Sequence, residues 1–193
     1  MYVLTVDQRG SRRDVDRVAD LLADLRDPRL TRPFERTAGD EVQAVTDDAD
    51  AVVDLSLELL RRARWSIGIG IGRVEMPLPD QTRAGRGPAF EHARRAVDRA
   101  KNAIGRIAVE GADTPTATDA DAALTLLATV VLRRSAHGHE AVALSRTGLS
   151  QAEVAEELGI SKQAVSQRLQ AAGWQAELVG RDLARRLLER ADP

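Results

Sequence analysis

Between residues 65 and 72 the chain reads Trp-Ser-Ile-Gly-Ile-Gly-Ile-Gly, and no other stretch limits the fold so tightly. Strict alternation is the period of a β-strand, because successive side chains leave a strand on opposite faces. One face of this strand carries Ile67, Ile69 and Ile71, and the other only Gly68, Gly70 and Gly72. Isoleucines call for a core. A bare glycine face predicts that something approaches the sheet closely there.

The neighbouring segments supply the rest of an α+β unit. A β-branched and apolar run over residues 2–6 stops at Asp7 and is followed by Gln8, Arg9, Gly10 and Ser11, which predicts a strand and a tight turn. Residues 15–25 repeat with helical period through Val15, Val18, Leu21, Leu22 and Leu25. Residues 34–38 and 41–45 flank Gly39-Asp40 and predict a hairpin, and residues 47–62 form a second amphipathic helix. After a Pro- and Gly-containing loop over 73–87, Pro88 opens a third helix reaching about Lys101, and residues 106–109 form a last strand. This order fits a sheet with helices on one face, of the ferredoxin-like split βαβ type. The Gly-, Thr- and Pro-rich stretch 110–117 reads as a linker, dividing the chain into a domain over 1–112 and a helical domain over 118–193. Thr118 with Asp121 reads as a helix start. Residues 122–132 are apolar on nearly every side, which predicts a helix buried at a domain or subunit interface.

Composition narrows the chemistry. With no cysteine among 193 residues, disulfides, thiolate metal sites and cysteine nucleophiles are excluded. Neither a membrane-spanning run nor a secretion signal is legible, so a cytoplasmic protein without a membrane partner is expected. The balance of 28 basic against 30 acidic residues argues against a polybasic module. Only Lys101 and Lys162 are lysines; the other basic residues are all arginine. His92, His137 and His139 do not form a metal set by spacing, and surface positions are expected for them.

The segment 150–169 carries the most specific pattern: Ser-Gln-Ala-Glu-Val-Ala-Glu-Glu-Leu-Gly-Ile-Ser-Lys-Gln-Ala-Val-Ser-Gln-Arg-Leu. Ser150 and Ser161 are placed to cap two helices, and Gly159 to supply a left-handed turn between them. Ala155 leaves room for a crossing helix, and Leu158, Ile160, Val165 and Leu169 hold the pair together. This pattern resembles the helix-turn-helix of bacterial transcription factors and of sigma-factor promoter-reading domains. The resemblance implies that Lys162, Gln163, Ser166, Gln167 and Arg168 lie on or beside a face that meets double-stranded DNA. With a near-neutral net charge, tight binding by a monomer is not expected, and a homodimer would double the contacts. Leu183, Leu187 and Leu188, beside Arg181, Arg185, Arg186 and Arg190, mark the last helix either as a dimer or DNA-backbone-contact element or as a solvated helix lying on the domain.

In the N-terminal half, Asp7 at a strand end and Asp40 at a hairpin tip fall on neighbouring strands of a split βαβ sheet. Two carboxylates together with substrate phosphates are a usual way to hold Mg²⁺. The turn Gln8 to Ser11 would offer backbone N–H groups to those phosphates. Arg36-Thr-Ala-Gly-Asp-Glu-Val-Gln43, the glycine strand, and Gly87-Pro-Ala-Phe-Glu-His-Ala-Arg-Arg95 together resemble the palm-type domains of class III nucleotidyl cyclases and diguanylate cyclases, and are similar to the SatD family. The resemblance covers residues 2–110. It implies metal ligation by Asp7 and Asp40, with Mg²⁺ or Mn²⁺, and a nucleotide near Gln8, Gly10, Ser11, Arg36, Gln43, Glu91 and Arg95. Arg95 falls on the arginine that stabilises the transferring phosphate and is catalytic only if the chain is an enzyme. Two positions depart from the cyclase pattern: Glu91 replaces an asparagine and Arg36 a purine-reading lysine. The acidic purine partner is missing from the loop.

Plainer roles also fit, with Asp40 as turn chemistry, Asp7 as a helix cap, and Glu91 with Arg95 as an i, i+4 surface pair. Three functions stay open: a DNA-binding regulator with a nucleotide effector, an active nucleotidyl cyclase or transferase, and a DNA-binding protein with a palm-like dimerisation scaffold.

Overall fold

A computed structural model describes residues 1–10 and 15–192. Among them lie a mixed five-stranded sheet and eight α-helices, an α+β architecture. The order is β1 (Tyr2–Gln8), α1 (Val18–Asp24), β2 (Arg32–Arg36), β3 (Glu41–Thr46), α2 (Ala49–Arg61), β4 (Trp65–Ile71), a 3₁₀ turn (Thr82–Ala84), α3 (Pro88–Ala100) and β5 (Ile107–Gly111). Then follow α4 (Thr114–Leu132), α5 (Ala136–Arg146), α6 (Gln151–Leu158), α7 (Lys162–Ala171) and α8 (Trp174–Ala191). No described helix is long and apolar enough to cross a membrane.

The strands lie in the order β2-β3-β1-β4-β5. β1 is antiparallel to both neighbours, pairing Thr5 with Gln43 of β3 and with Gly68 of β4, and β5 runs parallel to β4. β2 starts two residues earlier than its hydrophobic run predicts and contains Pro33. Proline is tolerated because β2 is the sheet edge, where a missing N–H costs no ladder bond.

The isoleucine face of β4 enters a core with Leu4 and Val6 of β1, Leu59 and Leu60 of α2, Leu124 and Ala128 of α4, and Ala184 and Leu188 of α8. The glycine face meets α3. A Cβ added at Gly70 would stand 2.0 Å from the Ala89 carbonyl oxygen, and one at Gly68 would stand 2.2 Å from the Val97 nitrogen. Helix backbone therefore rests directly on strand backbone. Helices cover both faces, and the expectation of helices on one face alone is corrected: the glycines let α3 seat on the second.

Three other boundaries shift for physical reasons. Helix α1 starts at Val18 rather than at residue 15, because the buried amide of Gln8 grips the preceding backbone: its Nε2 donates to the Val15 carbonyl at 2.7 Å and its Oε1 accepts from the Arg17 N–H at 2.8 Å. The stretch 110–117 is not a linker. β5 runs through Gly111, Asp113 caps α4 by accepting from the Thr116 N–H, and Pro115 sits in the first helical turn. Proline and threonine mark helix starts as readily as loops. Asp121, expected as part of a cap, instead accepts from the Val109 N–H at 2.6 Å and pairs with Arg99.

The cores also divide differently from the chain order. Helices α4 and α8 share the sheet's core, and the N-terminal ammonium contacts Asp192 just past α8 at 2.5 Å. Helices α5, α6 and α7 build a separate small core, from Val142, Val154, Ala155, Val165 and Leu169 among others, and α3 has its own beneath the second face, from Val3, Val45, Ala89, Phe90 and Ala93. Leu188 is fully buried and Leu187 packs on the sheet's core, whereas Leu183 is 44 % exposed.

Candidate functional site

The ends of β1 and α3 and the hairpin tip bring Asp7, Asp40 and Lys101 together. The Gln8 N–H donates to the Asp40 carbonyl at 3.2 Å, and the Lys101 ammonium lies 3.1 Å from Asp7 Oδ2. Burial pushes the Asp7 carboxyl above its ordinary pKa; Lys101 opposes the shift, and Asp40 and Glu41 add to it. Burial pulls Lys101 down, but Asp7 and Asp98 outweigh it and hold the ammonium above its usual pKa. Among the described residues no group of three or more metal-ligating side chains converges. Two carboxylates, one already carrying an ammonium, do not fit a divalent ion held by the protein alone.

Further cations crowd this end of the sheet. The Arg9 N–H donates to the Arg64 carbonyl at 2.8 Å, and Arg106 donates to the Lys101 carbonyl. Partial burial, then Arg106 and Arg64, lower the Arg9 pKa, so these guanidinium groups feel one another's charge. A rim of like charges beside two carboxylates suits a bound group carrying several negative charges.

The other predicted nucleotide residues are distributed unevenly. Arg36 closes the hairpin at the same end and holds both oxygens of Asp16, at 2.7 and 2.8 Å. Gln43 is buried beneath Asp7 and donates to Thr5 Oγ1 at 2.9 Å. Gln8 is committed to the Val15 and Arg17 backbone, and Gly10 makes an exposed turn at φ +72°. Ser11 lies outside the described residues. Glu91 is exposed on α3 without pairing to Arg95, whose Nε instead lies 3.0 Å from Glu110 of β5. Glu110 is level with Gly70 whereas Asp7 is level with Ser66, so Arg95 stands well along the sheet from the two aspartates. His92 is half-buried rather than a surface residue; its Nδ1 lies 2.8 Å from the Ile71 carbonyl oxygen.

The second candidate site is α7. Ser150 and Glu153 form a reciprocal capping box on α6, Gly159 ends that helix at φ 63° and ψ 34°, and Ser161 accepts from the Ala164 N–H to start α7. Val165 and Leu169 face the small core, which leaves Lys162, Gln163, Ser166 and Gln167 exposed. Arg168 is turned partly inward, with Nη1 3.8 Å from Glu140 of α5.

This unit is tied to the sheet's core by ion pairs. Arg134, after α4, donates to the Ala172 carbonyl at 3.0 and 3.1 Å and to Glu177 of α8 at 2.5 Å. Glu177 also accepts from Arg181 Nε at 2.8 Å, and Arg181 pairs with Asp54 of α2, which Arg146 of α5 reaches at 3.0 Å. The sequence reading missed Lys101 and this network. Lys101 left a signal, as one of two lysines in an arginine-rich chain; the network joins residues up to 127 apart and left none.

No protein-family model, curated protein or solved structure matches the chain.

Proposed function

We propose that the protein is a DNA-binding transcriptional regulator in which a ferredoxin-like, cyclase-like half binds a nucleotide as effector and α5–α7 act as a helix-turn-helix. The observation that carries this reading is α7 itself: capped by Ser161, seated by Val165 and Leu169, and presenting Lys162, Gln163, Ser166 and Gln167 outward. Amide side chains at successive exposed turns are suited to base edges, and a lysine at the helix start to a phosphate. The sheet order, with β1 between two antiparallel neighbours, supports the ferredoxin-like assignment.

For the nucleotide, support comes from Arg9, Arg64, Lys101 and Arg106 around Asp7 and Asp40. Mg²⁺ or Mn²⁺ would arrive with the phosphates, using one or two carboxylates, as Mg²⁺ commonly does. The distance of Arg95 from the aspartates within one subunit favours binding over turnover. Exposed Leu126 on α4 and Val179 and Leu183 on α8 offer an apolar surface for a homodimer.

Selection from a random duplex library, followed by fluorescence anisotropy, tests the DNA reading. Replacing Gln163 and Gln167 together by alanine is expected to weaken binding at least tenfold with unchanged thermal unfolding, since each good base contact contributes about 1–3 kcal/mol. Unchanged affinity would remove α7 as the reading element. A thermal-shift screen of nucleotides with Mg²⁺ tests the effector half: stabilisation that Asp40→Ala abolishes supports it, and no response to any nucleotide overturns it.

A further inference from the structure

Where the α5–α7 unit meets the sheet's core, α2, α4, α5 and α8 close around a cavity of about 70 Å³. That is room for several waters, or for one anion with four oxygens. Two buried nitrogens in its lining have no hydrogen-bond partner: Nδ1 of His139 on α5 and Nη2 of Arg181 on α8. The remaining Arg181 nitrogens are taken, Nε by Glu177 and Nη1 by Asp54. Arg61, Arg134 and Arg146 also line the cavity, so four guanidinium groups stand against three carboxylates, Glu58 and Glu177 in the lining and Asp54, which pairs with Arg146 and Arg181. A surplus of positive charge and two unanswered nitrogens that can both donate call for an acceptor-rich ligand.

We propose that this cavity binds a tetrahedral oxyanion, either inorganic phosphate or the phosphate of a phosphomonoester, held between His139 and Arg181. The site is separate from the Asp7 and Asp40 end and does not depend on nucleotide binding there. A bound anion bridges α5 of the reading unit to α8 of the core, so occupancy fixes how the unit is seated. Burial, then Arg134 and Arg61, depress the His139 pKa against the opposing pull of Glu177 and Glu58, while Arg146 and Arg181 face the same cavity. An anion beside the imidazole favours its protonated form. Binding therefore takes up a proton and tightens as pH falls.

Sulfate is the primary probe, because it stays a dianion between pH 5.5 and 7.5 and any pH response belongs to the protein. Unfolding temperature and calorimetric affinity are measured in sulfate against chloride at equal ionic strength. A tenfold excess over Kd is expected to raise the unfolding temperature by roughly 3–6 °C. Sulfate stabilises folded chains generally by exclusion, so the readout is the difference between wild type and variants. Ala143→Glu sets a carboxylate at the exposed mouth without touching the hydrogen-bonded groups, and is expected to weaken binding at least tenfold. His139→Gln is expected to abolish the pH trend. Glycerol phosphate binding as well as inorganic phosphate assigns the site to phosphomonoesters, and failure of glycerol phosphate alone assigns it to the free anion. A wild-type response no larger than that of Ala143→Glu, or a pH trend that survives His139→Gln, overturns the proposal.

Discussion

Among the described residues, Glu177 should be the most sensitive ionisable position. Its side chain is 2 % exposed, and it accepts from Arg134 at 2.5 Å and from Arg181 at 2.8 Å. Arg134 is equally enclosed, at 3 %. Changing Glu177 to leucine removes no large volume but leaves the Arg134 guanidinium buried without a counter-charge. Breaking a buried pair in this way costs about 3–5 kcal/mol. Against a typical stability of about 5–15 kcal/mol that is a large fraction, and at about 2–4 °C per kcal/mol it lowers the unfolding temperature by roughly 6–20 °C.

The pH dependence has a definite sign. Burial pushes the Glu177 carboxyl up, but the hydrogen bonds from Arg134 and Arg181 outweigh it and leave the pKa below its ordinary value. A depressed folded pKa contributes stability that is present above the unfolded pKa, near 4.3, and is lost as pH falls through the folded value. Urea denaturation should therefore show the full gap between wild type and Glu177→Leu from pH 7 down to pH 5, with the gap closing below about pH 4.3. Arg134→Met with Glu177→Leu should recover most of the loss, because no isolated charge remains. A single-variant cost under 1 kcal/mol, or a double variant no more stable than the single, would refute this account of the junction.

Two further outcomes follow from the sheet. Gly70→Ala places a methyl group 2.0 Å from the Ala89 carbonyl oxygen and 2.3 Å from the Ala93 nitrogen, both backbone atoms, so α3 must lift from β4. The expected loss is about 3 kcal/mol in chemical denaturation, the upper range for overpacking, and a loss below 0.5 kcal/mol would disprove direct backbone contact. Lys101→Met removes the cation opposite Asp7, whose pKa is already raised by burial. A raised folded pKa destabilises as pH rises through the unfolded value, so the variant should be weaker than wild type at pH 7 and nearly equal to it at pH 3. A pH-independent difference would show that Lys101 acts through packing instead.

The alternating Ile-Gly strand was legible because period, face and close approach all follow from residue type. What approaches it was not, since α3 lies in the sequence exactly where a helix on either face would. Capping was legible for the same local reason: Ser150, Gly159 and Ser161 act within one turn of their own positions. The stretch 110–117 misled because threonine and proline serve loops and helix starts alike, and only the long-range packing of α4 on β5 separates the two. Asp7 was legible as a carboxylate at a strand end, but its partner Lys101 arrives from the far end of α3. Arg95, carried over from a resemblance, turns to Glu110 because β5 lies beside α3, a neighbour that local spacing does not reveal.

The order of the helices bears on how an effector could act. Helices α4 and α8 belong to one core with the sheet, and α5–α7 are inserted between them. Both ends of the inserted unit leave from adjacent points: a Cβ at Gly173, before α8, would stand 2.8 Å from Val130 near the end of α4. A unit held at two close points can pivot about them, but it cannot drift as a domain on a linker can. Beyond those points the unit meets the core through the Arg146 to Asp54 ion pair and through apolar side chains: Trp174 at the start of α8 packs on the small core, and Val142 lines one cavity with Leu57 and Val131. If α7 reads DNA and the sheet half binds an effector, as proposed, a tenfold effect on DNA affinity requires about 1.4 kcal/mol of preference between two seatings of this unit. Exposed pairs such as Arg146 with Asp54 contribute at most about 1 kcal/mol. Parting the buried Arg134 and Glu177 costs about 3–5 kcal/mol, so a change of seating that separated them would exceed that preference.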